Sequence, residues 1–589
     1  MKSLLFFNTQ SSFKMERGTH GNFIYYILSI LLGCILAFLP VISSNFSDLD
    51  GVIPILLTSI VCASLLICLL CRKGFKNTKL RINIVDICFA LYICYGIFRI
   101  GTSGAIFNPI IVYEWFGLVI IYAIVRSFEP QFLNILYSSL LLGGTMQAII
   151  GVLQYVNLLE PNNLIFTTTG SFSNPGHYGG YLVLSVIVSF FIWKEKKYSV
   201  TKGNIFFPCF LFIQAFALLL SNSRAAWLAV IIPLGILLVN NCFNRSFYRH
   251  WYIKLSVFIL ISGIITSLYF YKKASADVRL LTWRSSLLMI TDAPIFGHGI
   301  GSFAANYMPY QARYLDKHPG GNDALIADNN MIAFNEFIHV ACEQGIVGLF
   351  LFISLLIYAF INKKSTIHGL VARVGLTGLF VFALFSYPAS IFPIKVCFPV
   401  FIGILGKDRK PLIEFVLKKR VAILLIGIIG IGIFFNVKSY KMYHNAYNSL
   451  RNSDYIDDKL DNYFYMRHCK DFLYRLSEQY LKHDRLEASM QAKELLLNIA
   501  PTSSLLCDLG MIYLYKRKLD SARDCFLYAK KMTPNHMSPV YGLWLVNKAK
   551  GDREECTRLS TEILSMPVRV VNNVVLKARK EAREYMQKQ

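Results

Sequence analysis

The sequence predicts an all-α membrane protein: a polytopic bundle of about 12–13 transmembrane helices, followed by a smaller helical domain. Three observations support this. The 589-residue chain is 55% hydrophobic, and its mean hydropathy of +0.47 is higher than a soluble chain of this length would have. The excess lies in runs of about twenty residues, which are long enough to cross hydrocarbon as helices. After residue 437, charge density rises and amphipathic helical patterns replace the apolar runs.

The apolar runs should be helices, because lipid offers no partner for the polar groups of the backbone. The predicted spans are 22–44, 51–71, 82–100, 106–125, 131–153, 177–193, 205–220, 225–241, 252–270, 337–361, 369–387, 391–406 and 420–437. The pair 369–387 and 391–406 could instead be one kinked span, since SYPASIFP lies between them. The first span has no small-residue cleavage site before it and is interpreted as a retained anchor.

Charge is distributed unevenly between the connections. The net charge of +25 could suggest a nucleic-acid partner, but much of it falls in short connections between spans, so no nucleic-acid binding is expected. Lys and Arg gather in alternate connections, including 72–81, 194–202 and 407–420, whereas 45–50, 101–105 and 154–176 hold none. The positive-inside rule makes the basic set cytoplasmic. The long loop at about 271–336 and the C-terminal residues then lie on the outer face.

The chain therefore divides into a membrane domain, 1–437, and a helical domain, 438–589. Part of the second resembles a tetratricopeptide repeat, with packing positions at Leu506, Leu509, Gly510, Tyr513, Ala522, Phe526, Ala529 and Pro534. Segments 470–501 and 538–565 resemble degraded copies. Such units stack because one alone cannot bury its apolar face. The domain could bind a protein partner, or it could be a plain helical cap.

Polar residues collect at predicted outer span ends, first in TTTGSFSNPGHYGGYL, 167–182. Asn174 and His177 could hydrogen-bond a sugar or a phosphate. The alternative is a turn followed by a small-residue helix interface, which is common in membranes.

The second polar segment is SNSRAAWL, 221–228. Arg224 is a basic residue in a short outer connection between two spans. A charged arginine so close to the bilayer costs free energy unless an anion pairs with it. Its guanidinium matches phosphate oxygens as a bidentate fork. Alternatively, it is an interfacial arginine that snorkels beside Trp227.

The third polar segment is DVRLLTWRSSLLMITDAPIFGHGIGSF, 277–303. Trp283, Leu287 and Ile290 recur at helical spacing, which predicts an amphipathic helix on the outer surface. Arg279 could reach from it into a cavity over the membrane domain. The turn GHGIG, with His298, follows. The alternative is an interfacial helix with solvated arginines.

The fourth polar segment is AFNEFIHVACEQGIVGLF, 333–350. Glu336, His339 and Glu343 lie at i, i+3 and i+7, roughly one helix face, beside Asn335. A carboxylate and an imidazole there could remove a proton from a hydroxyl. The alternative is ordinary helix-start polarity, since acidic residues suit an N-terminus.

In this order, GSFSNPGHYGGYL, SNSRAAWL, DVRLLTWRSS with DAPIFGHGIGSF, and NEFIHVACEQGIVGL resemble the O-antigen ligase family. That family includes lipopolysaccharide O-antigen ligases and bacterial protein O-oligosaccharyltransferases. The resemblance covers roughly residues 80–405 and implies a GT-C-like bundle in the bacterial inner membrane. The tetratricopeptide-like tail resembles one known from such proteins.

The resemblance implies transfer of a glycan from an undecaprenyl diphosphate carrier to a periplasmic hydroxyl, on lipid A-core or on a protein Ser/Thr, without cofactor or metal. Arg224 and Arg279 match the family's arginines and would bind the diphosphate, with Arg284 as a weaker third candidate. Asn174, His177, His298 and Asn335 are further candidate substrate-binding residues. A chain polymerase of the same fold is the alternative function. A lipid-linked glycan transporter is disfavoured, because the spans show no internal repeat.

The general base is the one departure from the family pattern. Many family members carry a His directly before Asn in the motif that here reads AFNEF, where this chain has Phe334. Glu336 is the nearest carboxylate and His339 lies one helical turn beyond Asn335, so Glu336 is the preferred base with His339 as its partner or substitute. Departure of the diphosphate without a general base is also possible.

Overall fold

The computed structural model describes residues 20–45, 52–75, 79–101, 108–163, 165–196, 206–242, 251–361, 366–451, 463, 465–568 and 571–588. Several of the basic connections, including 197–202 and 243–250, lie outside the described residues. Within the described ranges the chain is helical, apart from turns and one two-stranded antiparallel sheet.

Apolar helices make up the first part of the bundle. They are α1 His20–Asn45, α2 Val52–Phe75, α3 Ile84–Gly101, α4 Pro109–Ser127, α5 Pro130–Tyr155, α6 Pro175–Lys196, α7 Phe206–Leu220, α8 Arg224–Cys242 and α9 Trp251–Tyr271. Three helices of the large loop follow, α10 Lys273–Asp292, α11 Phe303–Lys317 and α12 Asn322–Ile326. The bundle then resumes with α13 Glu336–Phe360, α14 Ile367–Phe385, α15 Phe392–Lys395, α16 Cys397–Lys407 and α17 Lys419–Arg451.

Each of the thirteen predicted spans falls on one of these helices, 391–406 being divided between α15 and α16. Eight described helices are long and apolar enough to cross a membrane, and α7 and α8 are shorter apolar helices. Many span residues expose large apolar side chains, such as Phe212, Phe350 and Phe434. Such exposure is the surface a bilayer would cover, so the all-α polytopic membrane bundle is confirmed. The total of twelve or thirteen spans stays a prediction.

The segments predicted to be cytoplasmic and those predicted to be outer lie at opposite ends of the bundle, as the charge pattern requires. Two predicted cytoplasmic connections meet as a sheet, in which β1 Lys79–Ile82 pairs antiparallel with β2 Ile413–Val416. Beside it, Arg126 of α4 forms an ion pair with Asp86 of α3, with Nε 2.7 Å from Oδ1. The polar segments predicted to be outer lie at the other end. Which end faces the cytoplasm remains a prediction of the positive-inside rule.

The large loop is fastened to α13 through backbone hydrogen bonds. The amides of His298 and Gly299 donate to the carbonyls of Cys342 (2.9 Å) and Glu343 (2.8 Å). They reach these carbonyls because α13 is kinked at Gly345, whose φ is 64°. The GHGIG turn therefore fixes the loop at the outer end of the bundle.

Helix α10 forms where the sequence predicts it, but the predicted apolar stripe does not mark its buried face. Leu287 is 55% exposed. The buried residues are Leu281, Thr282, Ser285, Ser286 and Met289. Small hydroxyl side chains allow close packing against α11 and α13, which outweighs the weak apolar periodicity.

The C-terminal residues form helix pairs: α18 Lys470–Lys482, α19 Leu486–Leu497, α20 Ser503–Tyr515, α21 Leu519–Met532, α22 Met537–Lys550, α23 Arg553–Ser565 and α24 Asn573–Gln587. A Cβ at Gly510 would lie 2.7 Å from the ring of Phe526, so α20 and α21 approach closely at the predicted small position. The tetratricopeptide assignment and the division at 437/438 stay predictions. That boundary falls inside α17, which continues to Arg451.

Gly345→Ala tests the loop attachment. Gly345 has φ 64° and ψ −166°, a conformation essentially restricted to glycine that costs another residue about 1–3 kcal/mol. The new Cβ would also lie 2.2 Å from the carbonyl oxygen of Ile295. We expect a lower Tm of the detergent-solubilised protein. Gly235→Ala is the control, because nothing lies within 4 Å of its added Cβ. Equal Tm values for the two variants would contradict this account of the kink.

Candidate functional site

Three cations meet where α8 begins and α9 passes into α10. Arg224 is the first residue of α8, and its guanidinium donates to the backbone carbonyls of Leu268 and Tyr269 near the end of α9. The Lys272 ammonium donates to the carbonyl of Asn222 at 3.0 Å, in the turn that precedes Arg224. Arg279, two turns into α10, completes the group, which we call the cation cluster: Arg224, Lys272 and Arg279.

The charges of the cation cluster act on one another. Burial, and to a smaller extent the nearby charge of Arg224, lower the pKa of Arg279 to about 10. Burial and the charges of both arginines also lower the pKa of Lys272. Among the described residues, no carboxylate forms an ion pair with any of the three. Arg279 remains protonated at neutral pH, so the three positive charges together would attract an anion.

An aromatic group lies against the cation cluster. The Arg279 guanidinium carbon lies 5.6 Å from the centroid of the Phe334 ring, and that ring is 5.5 Å from the ring of Tyr387. The hydroxyl of Tyr387 and Nε2 of His177 are 3.0 Å apart. Burial raises the pKa of Tyr387, whereas the charge of Arg279 opposes that shift. His177 and Tyr387 thus form a hydrogen-bonded pair beside the cation cluster.

Phe334 itself adopts a φ of 53°. A bulky residue is rare in this left-handed region, and such strain concentrates at functional sites. The conformation aims the Phe334 ring at Arg279, while Glu336, two residues later, faces a different space. The backbone at 334–336 therefore separates the cation cluster from the neighbouring space that Glu336 faces.

That second space is a polar cavity of about 680 Å³, which we call the carboxylate cavity. Glu336, His339 and Glu343 all line it, which confirms that their i, i+3, i+7 spacing places them on one face of α13. His177 lines it too, so the cavity adjoins the His177–Tyr387 pair.

Hydrogen bonds hold the acidic residues of the carboxylate cavity in place. Nε2 of His339 is 3.4 Å from Oε1 of Glu343, and the same oxygen accepts from the amide of Phe303 at 3.1 Å. Glu336 accepts from the amide of Ala389 at 3.3 Å. Because Glu343 has three partners, His339 and the backbone amides of Phe303 and Gly301, and Glu336 has one long contact, Glu336 is the freer hydrogen-bond acceptor toward a ligand.

Across the cavity, the Lys395 ammonium lies 2.7 Å from a carboxylate oxygen of Glu114. A smaller apolar cavity of about 120 Å³ continues inward from Glu336 and Lys395, lined by rings that include Trp115, Phe337 and Phe352. The polar cavity is thereby extended by an apolar recess inside the bundle.

Four predicted binding residues have other partners. The side-chain oxygens of Asn174 and Asn335 accept backbone amides at the starts of α6 and α13, Gly176 N at 2.7 Å and Phe337 N at 2.9 Å. Arg284 is half-exposed and pairs with Asp323 at 2.7 Å. His298 Nε2 lies 2.9 Å from the carbonyl oxygen of Met289. These contacts favour structural roles for all four residues.

Sequence reasoning missed Lys272, Tyr387 and the Lys395–Glu114 pair. Lys272 carried a usable signal, because it is a lysine at a predicted outer span end, against the positive-inside bias. Tyr387 belongs to SYPASIFP, which the sequence marks only as a break between spans. Nothing local in the sequence pairs Lys395 with Glu114, 281 positions earlier.

Residues 209–353 match the family model described as O-antigen ligase. The match confirms the resemblance drawn from the sequence motifs, and it includes the cation cluster and the polar face of α13. It does not extend to the C-terminal helix pairs. No curated protein matches the chain.

Asn174→Ala and Asn174→Asp test the capping role. Loss of a side-chain cap costs about 1 kcal/mol, while Asp retains an acceptor oxygen. We expect the alanine variant to have a lower Tm in detergent and the aspartate variant to keep that of the wild type. A wild-type Tm for Asn174→Ala would show that the cap does not stabilise the protein.

Proposed function

We propose that this chain, which carries an O-antigen ligase domain at residues 209–353, transfers a glycan from an undecaprenyl diphosphate carrier to a hydroxyl acceptor. The family comprises membrane glycosyltransferases of the ligase and polymerase type. The proposal places the protein in the bacterial inner membrane, with the cation cluster and the C-terminal domain on the periplasmic side. The carrier, the acceptor and the side of the membrane are parts of this proposal.

The cation cluster is the observation that carries the proposal. A diphosphate leaving group develops negative charge as the glycan departs, and fixed cations stabilise that charge. Arg224 and Arg279 offer guanidinium groups that bind phosphate oxygens in pairs, and Lys272 adds a point charge. Arg284, the weaker third candidate, is already neutralised by Asp323. Lys272 is therefore the better third ligand for the diphosphate.

The reaction requires one bond to form and one to break. The acceptor hydroxyl oxygen attacks the anomeric carbon of the glycan, and the bond from that carbon to the diphosphate oxygen breaks. The bonding electron pair leaves with the diphosphate, which the cation cluster holds. The hydroxyl proton passes to a base that faces the carboxylate cavity.

The polyprenyl tail needs an apolar surface below the cation cluster. Arg224 ties the start of α8 to the end of α9 through Leu268. Both helices expose large apolar side chains further along, among them Ile231 and Ile259. A tail that leaves a diphosphate at the cluster can therefore lie along the outside of α8 and α9, within the bilayer.

The base proposed is Glu336, which faces the carboxylate cavity with a single long hydrogen bond. His339 contacts Glu343 and stacks on Phe303, with ring centroids 4.9 Å apart. These contacts suit His339 to keep the neighbouring side chains of Glu343 and Phe303 in position. A specific observation favours a second candidate, His177: it lines the same cavity and reaches the cation cluster through Tyr387.

A polymerase that uses a carrier-linked glycan as acceptor is the alternative within the family. A transporter fits less well, because the polar groups gather at one end of the bundle, whereas transporter sites lie near the bilayer midplane. The helix pairs beyond α17 could in addition present a surface to a protein partner.

Arg224→Lys and Arg279→Lys should each lower glycan transfer at least about 100-fold, because one ammonium cannot replace a guanidinium fork aimed at developing charge. The measurement is transfer from labelled undecaprenyl-diphosphate-linked glycan by the purified protein in liposomes.

Arg284→Lys is the matched control on the same helix as Arg279. Lysine can keep an ion pair with Asp323, so transfer should remain within about twofold of the wild type, as for most changes at exposed pairs. Normal transfer by Arg224→Lys or Arg279→Lys would contradict the assignment of the diphosphate.

Glu336→Gln and His177→Gln separate the two bases. Loss of a general base costs about 10²–10⁴-fold in rate. We expect this loss in Glu336→Gln and a fall of less than tenfold in His177→Gln, measured as single-turnover transfer with bound donor. The opposite ranking would assign the general-base role to His177. Near-normal rates in both variants would favour departure of the diphosphate without a general base.

A further inference from the structure

We infer that residues 468–471, which lead into the C-terminal helix pairs, form one wall of the acceptor subsite and that the acceptor bound there is a saccharide. The inference rests on the proposed function and adds to it. It assigns the carboxylate cavity to the acceptor. It also gives the C-terminal part of the chain a role in substrate selection that is independent of any protein partner.

The wall is visible in the lining of the carboxylate cavity. His468, Lys470 and Asp471 line the same space as Glu336 and His339 of α13, about 130 positions earlier in the chain. The membrane bundle alone therefore leaves one side of this cavity open. The segment 468–471 contributes Lys470 and Asp471 to the lining on that side, whereas the imidazole of His468 is buried against Tyr443.

The wall is held in position by the last membrane helix. The hydroxyl of Tyr443 in α17 hydrogen-bonds to Nε2 of His468, and both side chains are buried. Helix α17 runs without interruption from Lys419 to Arg451 and packs along α2, whose residues Val52 and Ile55 also line the cavity. The position of 468–471 beside the cavity is thus supported by its contact with α17.

The chemistry of the lining fits a saccharide. The Glu336 carboxylate can accept hydrogen bonds, and the Asn108 amide nitrogen can donate one, since its side-chain oxygen already accepts from the amide of Ile110 at 3.0 Å. Rings of Tyr92 and Trp115 lie in the same lining and can cover apolar C–H faces. A sugar presents hydroxyls at its rim and C–H groups on its faces. The cavity volume is also within the range of roughly 300–1,000 Å³ that is usual for small-ligand pockets.

The cavity also lies where an acceptor must be. His177 lines it and is 3.0 Å from the Tyr387 hydroxyl, which lies next to Arg279 of the cation cluster. A hydroxyl at that corner would face the anomeric carbon of a donor whose diphosphate occupies the cluster. The remainder of the acceptor would extend between α13 and the wall.

Asp471→Trp and Lys470→Trp in the full-length protein narrow this wall without touching the proposed catalytic residues. Lys482→Trp is the control, an exposed position at the far end of the same helix, α18. The assay uses proteoliposomes with labelled undecaprenyl-diphosphate-linked oligosaccharide as donor. Lipid A-core is the saccharide acceptor, and a Ser/Thr-containing peptide is the alternative acceptor.

We expect the KM for lipid A-core to rise at least about tenfold in both wall variants, equivalent to about 1.4 kcal/mol. The kcat and the retention of labelled donor should stay within twofold of the wild type, and Lys482→Trp should match the wild type throughout. Retained donor binding shows that the variants are folded.

Two results would overturn the inference while leaving the proposed function intact. One is an unchanged acceptor KM in both wall variants, and the other is saturable transfer to the peptide with none to lipid A-core. Failure of the wild type to transfer the glycan to lipid A-core, to the peptide or to a second carrier-linked glycan would instead overturn the proposed function.

Discussion

Three positive charges lie together with no carboxylate ion-paired to them in the described part of the chain, and this constraint governs the rest of the outer end. Partly buried charges of one sign repel one another and lose solvation, so neighbouring groups must offset this free-energy cost. The protein offsets part of it with backbone carbonyls of Leu268, Tyr269 and Asn222. The face of Phe334 contributes a cation–π contact to Arg279. These partners are neutral, so the net charge of the cluster remains available to an anion.

The segments that position the cations also place the carboxylate cavity beside them. Phe334 touches Arg279, and two residues later Glu336 faces the carboxylate cavity. On the other side, Tyr387 lies at the cations and Ala389 donates its amide to Glu336. Two short segments thus join the cation cluster to the carboxylate cavity, the sites that we propose for the leaving diphosphate and the attacking hydroxyl. The loop residues Ile300 and Gly301 also line the carboxylate cavity, and covering by the loop would limit competing attack by water.

The sequence was sufficient where a local pattern determines the outcome. Apolar runs long enough for a bilayer gave the spans, and helical periodicity placed Glu336, His339 and Glu343 on one face of α13. An arginine in a short outer turn pointed to one of the three cations. In each case, the deciding information lies within a few residues along the chain.

The sequence was insufficient where a side chain has more than one possible partner. The amides of Asn174 and Asn335 suit a sugar equally well, yet both are used as helix caps. Arg284 resembles Arg279 in sequence, and only folding brings Asp323 within 2.7 Å of it. The packing of α10 by serines and the approach of 468–471 to α13 are likewise tertiary features.

The central claim is that the cation cluster binds the diphosphate, and a cryo-EM structure of the protein with undecaprenyl diphosphate tests it most directly. The account predicts phosphate oxygens within hydrogen-bond distance of Arg224, Lys272 and Arg279, with the tail along α8 and α9. A diphosphate bound instead by Lys395 or Lys470 in the carboxylate cavity would contradict it.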